Sequence, residues 1–306
     1  MPDVARELTE GERWSREQLE LLLKARFGPR AVASFLVSSQ RRANAERAAR
    51  PLTARRMRAW MLAGAVAHAA FAAARDHDAR RGLPAALGWW AATWLMLDWH
   101  IGMLETEDGR PRNLGPADAA TLARVWMVPL AARGAGPRLC LAAWATDGLD
   151  GRLARATEPT RLGRDLEGLV DTCFAAAALR GARRANTIPP WAVAGELARL
   201  GGGFVYALVV YFGQARAPDP EVTRAARLTT PVRVAGLVAA GSGHRRTAGA
   251  LVAGGSAWSL ATVAAALARP SAGDPAQWSA TLAPSGTSGR PSACQRSSPP
   301  AIDQAS

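Results

Sequence analysis

The chain has 306 residues, 49% of them apolar, and its 38 Lys and Arg against 25 Asp and Glu give a formal net charge of +13. Mean hydropathy is −0.05, an average that taken alone describes a soluble basic protein, with nucleic acid as a natural partner. The charges, however, fall between long apolar runs, which argues against nucleic acid as a partner and for a helical membrane unit with polar extensions.

Residues 1–56 form a polar, mixed-charge extension in which Leu8, Leu19, Leu21, Leu22, Leu23, Phe27, Val32 and Phe35 predict one or two amphipathic cytosolic helices. No cleavable signal precedes the apolar segments, because the first thirty residues are charged and lack an apolar core. Residues 57–108 predict an accessory helical pair. Its first run, Ala59 to Ala74, is flanked by Arg55, Arg56 and Arg58; its second, Leu83 to Leu104, carries Trp89, Trp90, Trp94 and Trp99. Both approach the ~20 residues that cross a bilayer, and the tryptophans suit a membrane interface or a packed core equally. A polar connection, Glu105 to Asn113, leads into the main unit at 109–269. Apolar runs follow there at 119–133, 137–147, 166–180, 188–213, 229–243 and 247–268, the second extending through an acidic segment. Cys140 and Cys173 lie inside these runs as small buried residues; with Cys294 the cysteines are odd in number and match no metal spacing. Residues 270–306, rich in Ser, Pro, Gly and Ala, bury too little to offset their ordering entropy and are expected to be disordered. The expected fold is all-α, a polytopic membrane helical bundle.

The acidic segment carries the chemistry. Asp147 and Asp150 are three apart, Glu167 and Asp171 four apart, so each pair shares a helix face. Pro159 and Gly163 between them allow the second helix to fold back and aim its carboxylates at the first pair. Four carboxylates around one cavity stay ionised only with cations among them, and hard divalent ions are the natural occupants of an all-oxygen site. The array predicts metal-assisted chemistry on phosphate.

Asp147-Gly148-Leu149-Asp150-Gly151-Arg152-Leu153-Ala154-Arg155, followed by Gly163, Glu167 and Asp171, resembles the signature of the CDP-alcohol phosphatidyltransferases. Asn113, then Thr121-Leu122-Ala123-Arg124 and Pro129, resembles that family's first-helix opening, and the resemblance covers roughly 110–268 as a six-helix catalytic core. Two departures stand out: the third acid is Glu167 instead of Asp, and the gap between Arg155 and Gly163 is one residue shorter than is usual. The resemblance implies transfer of a phosphatidyl group from a CDP-activated lipid, such as CDP-diacylglycerol, to an alcohol or phospho-alcohol acceptor with release of CMP, in phospholipid biosynthesis. It implies two ions of Mg²⁺ or Mn²⁺ held by Asp147, Asp150, Glu167 and Asp171, with Asp171 also the general base. Gly151, Ala154, Arg155 and Gly163 would meet the donor nucleotide and its phosphates. A homodimer is also implied, together with a multi-pass location in the plasma membrane and the active site facing the cytoplasm. Arg152, Arg155, Arg161 and Arg164, with Arg216, Arg224 and Arg227, agree with that orientation. Arg183-Arg184 and Arg245-Arg246 fall on the opposite side, so the motif decides it.

Several residues carry two readings each. Arg199, three after Glu196 in an apolar run, is an acceptor-binding candidate or half of a structural ion pair. Arg227, with Thr229 and Thr230, is an acceptor-phosphate candidate or part of a solvated loop. Arg124 matches the family's first-helix Arg or snorkels to the interface. Asp98, His100 and Glu105 form an interfacial polar cluster in preference to a second metal site, and His68 is packed in preference to ligating. The rival functions are a Mg²⁺-dependent membrane prenyltransferase, against which the Gly-x-x-Ala-Arg continuation argues, and a catalytically lapsed membrane scaffold.

Overall fold

The computed structural model describes residues 10–73, 82–106, 109–157, 160–210 and 219–269. There the chain is all-helical, and an isolated bridge between Glu105 and Pro111 is the only β pairing among the described residues. The helices are α1 (Glu10–Lys24), α2 (Pro29–Ala49), α3 (Pro51–Ala73), α4 (Leu83–Trp99), α5 (Pro116–Ala131), α6 (Pro137–Ala156), α7 (Arg161–Arg184), α8 (Pro190–Leu208), α9 (Pro220–Gly241) and α10 (Arg245–Ala268), with a 3₁₀ turn at Ile101–Met103. Proline opens α2, α3, α5, α6, α8 and α9, where its fixed φ suits the first turn and its missing N–H costs nothing. The start of α7 differs: Thr160 caps it, its hydroxyl accepting from the Gly163 N–H at 2.9 Å.

These starts move two expected boundaries. α3 begins at Pro51, so the apolar run from Ala59 is its C-terminal part and the division at residue 56 falls inside a helix. α9 begins at Pro220, well ahead of the run expected from 229, because its first turns are polar and exposed while still helical. Arg227, Thr229 and Thr230 therefore lie within a helix and not in a loop before one. The tail at 270–306 lies outside the described residues, as do Pro159 and Arg216.

Helices α5 to α10 close into a ring. α5 packs on both α6 and α7, α9 packs on α6 and α10, and α8 packs on α10 and α7. One apolar cluster, including Val128, Cys140, Phe174, Leu179, Ile188, Leu237 and Val252, packs the ring helices together. A second cluster joins Met57, Met61, Trp90 and Leu97 of α3 and α4 to Leu122, Val125, Leu166 and Val170 of α5 and α7. The accessory pair thus shares a core with the main unit, across the division drawn at residues 108 and 109. α7 belongs to both clusters, which leaves its acidic stripe little freedom to rotate.

Among the described residues only α10 is long and apolar enough by itself to cross a membrane. The other helices of the ring carry buried or cavity-facing charges, among them Arg124, Asp147, Asp171, Glu196, Arg199 and Arg233, which lower their hydropathy.

Close helix approach gives a test of this packing. A Cβ at Gly181 of α7 would stand 2.1 Å from the Ala131 carbonyl oxygen, a backbone atom that cannot rotate aside. Gly181→Ala should destabilise the fold by about 1–3 kcal/mol. Gly195→Ala, where a Cβ meets nothing within 4 Å, should be neutral or stabilising by up to about 1 kcal/mol. Thermal unfolding of the two variants in detergent would check the contrast; equal midpoints would contradict the packing described.

Candidate active site

The C-terminal half of α6 and the N-terminal half of α7 bring the acids together. Carboxylate oxygens of Asp147, Asp150 and Glu167 all lie within 4.8 Å of one another. Asp150 is the buried member: its Oδ2 accepts from the Thr121 hydroxyl at 2.9 Å, while its Oδ1 is buried with no partner. An all-oxygen set with one desolvated oxygen left open is what a hard divalent cation fits, so the residues present suit Mg²⁺ or Mn²⁺. The fourth acid is placed differently. Asp171 opens onto the adjoining cavity and directs Oδ1 to Arg124 Nε at 3.0 Å.

Arg124 of α5 is 1% exposed, the largest fully buried side chain among the described residues. Besides Asp171 it contacts Asp150 Oδ2 through Nη2 at 2.7 Å and Asp147 Oδ1 through Nη1 at 3.3 Å. Its guanidinium points into the acid array and not out to an interface, which removes the snorkelling reading.

A second group of contacts sets the angle between α5 and α7. Asp118, in the first turn of α5, accepts from the Gly115 N–H at 2.7 Å and from the Thr160 hydroxyl at 2.8 Å. Next to Thr160, Arg161 Nη1 meets Glu105 Oε1 at 2.6 Å and the Arg161 N–H donates to the Glu105 carbonyl at 2.9 Å. Gly163 is small for a reason inside the fold: a Cβ there would lie 2.4 Å from Asp118 Oδ1 and 2.9 Å from Thr160 Oγ1. Gly163→Ala should push Asp118 off Thr160 and lower the thermal midpoint by several degrees, for a loss of roughly 1–2 kcal/mol. An unchanged midpoint would show that α7 is not fixed at this point.

The array opens into a cavity of about 270 Å³ to which every helix from α5 to α10 lends a residue. Its lining holds two charged groups, Asp147, Asp171 and Arg124 in one and Glu196, Arg199, Thr230 and Arg233 in the other, with Trp144, Phe174 and Leu237 among its apolar residues. In the second group Glu196, 3% exposed, is gripped by Arg199 through two hydrogen bonds of 2.9 and 2.7 Å. It also accepts from Arg233 Nη1 at 2.9 Å and from the Ser256 hydroxyl at 2.5 Å, while Arg233 Nη2 donates to Thr230 Oγ1 at 2.9 Å. One carboxylate faces two guanidinium groups, so this group carries a net positive charge.

Of the expected acceptor residues, Arg199 lines the cavity, and its pairing with Glu196 and its cavity position hold together. Arg227 does not: it is exposed on α9, more than a turn ahead of Arg233, because α9 is helical through this segment. Gly151 lies within α6 beside the array. Ala154 and Arg155 are on the same helix, but their side chains lie outside the described residues. The second acidic cluster dissolves into separate partnerships: Asp98 with Arg47, Glu105 with Arg161, and His100 Nδ1 with the Met96 carbonyl at 2.7 Å. Sequence reasoning placed Thr121 in the family's opening motif without giving it a role, and it passed over Asp118 and Arg233 as site residues. The available signal for Arg233 was a lone Arg in an apolar run, the same signal that singled out Arg199.

Residues 117–267 match the family model described as CDP-alcohol phosphatidyltransferase. The match spans all six ring helices and the acid array. No curated protein and no solved structure matches the chain.

Proposed function

We propose that this chain, which carries a CDP-alcohol phosphatidyltransferase domain over residues 117–267, moves the phosphatidyl group of a CDP-activated lipid to a phosphorylated alcohol and releases CMP. The family supplies the reaction class, transfer of a phospho-alcohol group from a CDP-alcohol. The observation that carries the finer reading is that two separate charged groups, one acidic and one cationic, line the same cavity. A diphosphate donor belongs at the first, where Asp147, Asp150 and Glu167 would hold one or two divalent ions. An acceptor with its own phosphate belongs at the second, where Arg199 and Arg233 present guanidinium groups suited to phosphate oxygens.

The roles of the residues follow from this placement. Asp147, Asp150 and Glu167 would hold the divalent ion, whose charge would offset that of the diphosphate and of the departing CMP. Asp171, on the cavity wall beside the array, takes the proton from the acceptor hydroxyl as that oxygen bonds to the lipid phosphorus and the bond to CMP breaks. Arg199 and Arg233 fix the acceptor phosphate so that its hydroxyl points along the cavity to Asp171. Trp144 and Phe174 keep water from competing with the alcohol. Gly151, next to Asp150 on α6, would face the donor nucleotide, and the family resemblance assigns the same side of the donor to Ala154 and Arg155.

A membrane setting supports the lipid donor. α10 can span a bilayer alone, and α8 exposes Leu197, Phe204, Val205 and Leu208 on its outer side. An outward apolar face on a bundle whose charges point inward is the arrangement of a multi-pass membrane protein. The acid end then faces the cytoplasm at the cell membrane, and a homodimer would cover part of the apolar exterior.

Purified protein supplied with CDP-diacylglycerol, Mg²⁺ and a panel of alcohols should release CMP fastest with a phosphorylated acceptor such as glycerol phosphate or inositol phosphate. Asp171→Asn should cut that rate by on the order of 10²–10⁴ without unfolding the protein. Equal rates with serine and with a phosphorylated alcohol would remove the proposed acceptor class.

Glu167 provides a sharper test. It reaches the array from an α7 whose lead-in is one residue short, and its extra methylene supplies the reach. Glu167→Asp should therefore lower CMP release, and Glu167→Gln should lower it further by removing a charge. A gain from Glu167→Asp across a Mg²⁺ titration would mean that the longer side chain is a defect.

A further inference from the structure

Among the described residues Arg124 is the one cation within the acid array, and it is built into the fold. Its three nitrogens reach three different carboxylates on two helices: Asp147 and Asp150 of α6 and Asp171 of α7. The three N···O separations run from 2.7 to 3.3 Å, so the guanidinium is in close ionic contact with all three. The fourth acid, Glu167, instead joins Asp147 and Asp150 in the three-acid cluster, where Asp150 Oδ1 is open.

Charge makes this position consequential. Four carboxylates and one guanidinium leave the array at −3 when all are ionised, and carboxylates packed this closely in a partly desolvated space repel strongly. Without Arg124, Asp150 would be a buried carboxylate with only the Thr121 hydroxyl to offset its desolvation. The other arginines of the cavity lining, Arg199 and Arg233, sit with Glu196 and contact none of these acids in the described structure.

We propose that Arg124 is a positioning residue that acts as a resident counter-cation: it holds Asp147, Asp150 and Asp171 in their working places before any divalent ion arrives, and it divides the array into two functional halves. On one half, Asp147, Asp150 and Glu167 keep open oxygens for the ion. On the other, the contact of Asp171 with Nε keeps that carboxylate turned to the cavity and out of the three-acid cluster. The inference rests on the proposed function for the identity of the two halves; the counter-charge role itself needs only the geometry.

The test uses the full-length protein in detergent, with thermal unfolding and Mn²⁺ binding as readouts. Arg124→Gln keeps hydrogen-bonding capacity and removes the charge. In EDTA its midpoint should fall by on the order of 10 °C relative to wild type, the size expected when a buried ion pair loses one partner. Saturating Mn²⁺ should restore at least half of that fall, because the ion supplies the missing charge. Adding Asp150→Asn to Arg124→Gln should recover stability in EDTA, since the uncompensated charge is gone from both sides. Arg124→Lys, which keeps the charge, should stay within a few degrees of wild type. A loss in Arg124→Gln that neither Mn²⁺ nor Asp150→Asn relieves would overturn the proposal and leave Arg124 as a packing residue. So would a loss as large in Arg124→Lys. Absence of Mn²⁺ binding by the wild type, with the Asp150→Asn rescue intact, would instead count against the metal-dependent reaction and leave the counter-cation standing.

Discussion

Like charges crowded at the end of a helix bundle are the constraint from which the rest of this structure follows. Asp147, Asp150 and Glu167 bring carboxylate oxygens within 4.8 Å of one another, an arrangement that favours unfolding unless cations and rigid packing oppose it. Packing does much of the opposing. α7 is held along its length by two apolar clusters, and its first turn is tied to α5 through Asp118 and Thr160 and to the preceding loop through Glu105 and Arg161. The ties made by Thr160 and Arg161 lie within two turns of Glu167, the first acid of α7. The strain of the array is thus carried by contacts that serve no substrate.

The same cavity holds the opposite problem in its second charged group, where two guanidinium groups share one carboxylate. Glu196 is fully partnered, by Arg199, Arg233 and Ser256, which leaves one guanidinium charge in surplus beside the cavity, the feature on which the proposed acceptor site rests. On the proposed reading the two groups serve two different molecules, a diphosphate donor beside the acids and a phosphorylated acceptor beside the arginines. The apolar part of the lining lowers the local dielectric and makes each interaction stronger than it would be in water.

How much of this could be read beforehand depended on whether the signal was local. The i, i+3 and i, i+4 spacings of the acids, and the proline and glycine between them, are written in a stretch of 25 residues, and the helices they predict are the ones that form. The family resemblance drawn from those residues is matched by the family model over 117–267. Partners across the fold were not legible. That Asp118 would meet Thr160, 42 positions away, or that Ser256 would reach Glu196, 60 away, follows only once the helices are stacked. Arg227 and Arg233 show the difference within one helix. Proximity to two threonines favoured Arg227, but the helix that starts at Pro220 turns it to the outside and turns Arg233 inward.

Hydropathy was the least reliable guide, for a reason the cavity makes clear. A helix that lines a charged chamber must carry ionisable residues on its inner stripe, and these depress its average even when its outer stripe is apolar. α8 shows this directly: Glu196 and Arg199 face inward while Leu197, Phe204 and Val205 face out. α10, which lends the cavity only Val252, is the helix that keeps a plainly membrane-like composition. On α8, then, charge lines the cavity while large apolar side chains are exposed on the outer side, and the buried apolar cluster of the ring lies beside that charged lining. Averages over a whole helix conceal that arrangement; the direction in which each side chain points reveals it.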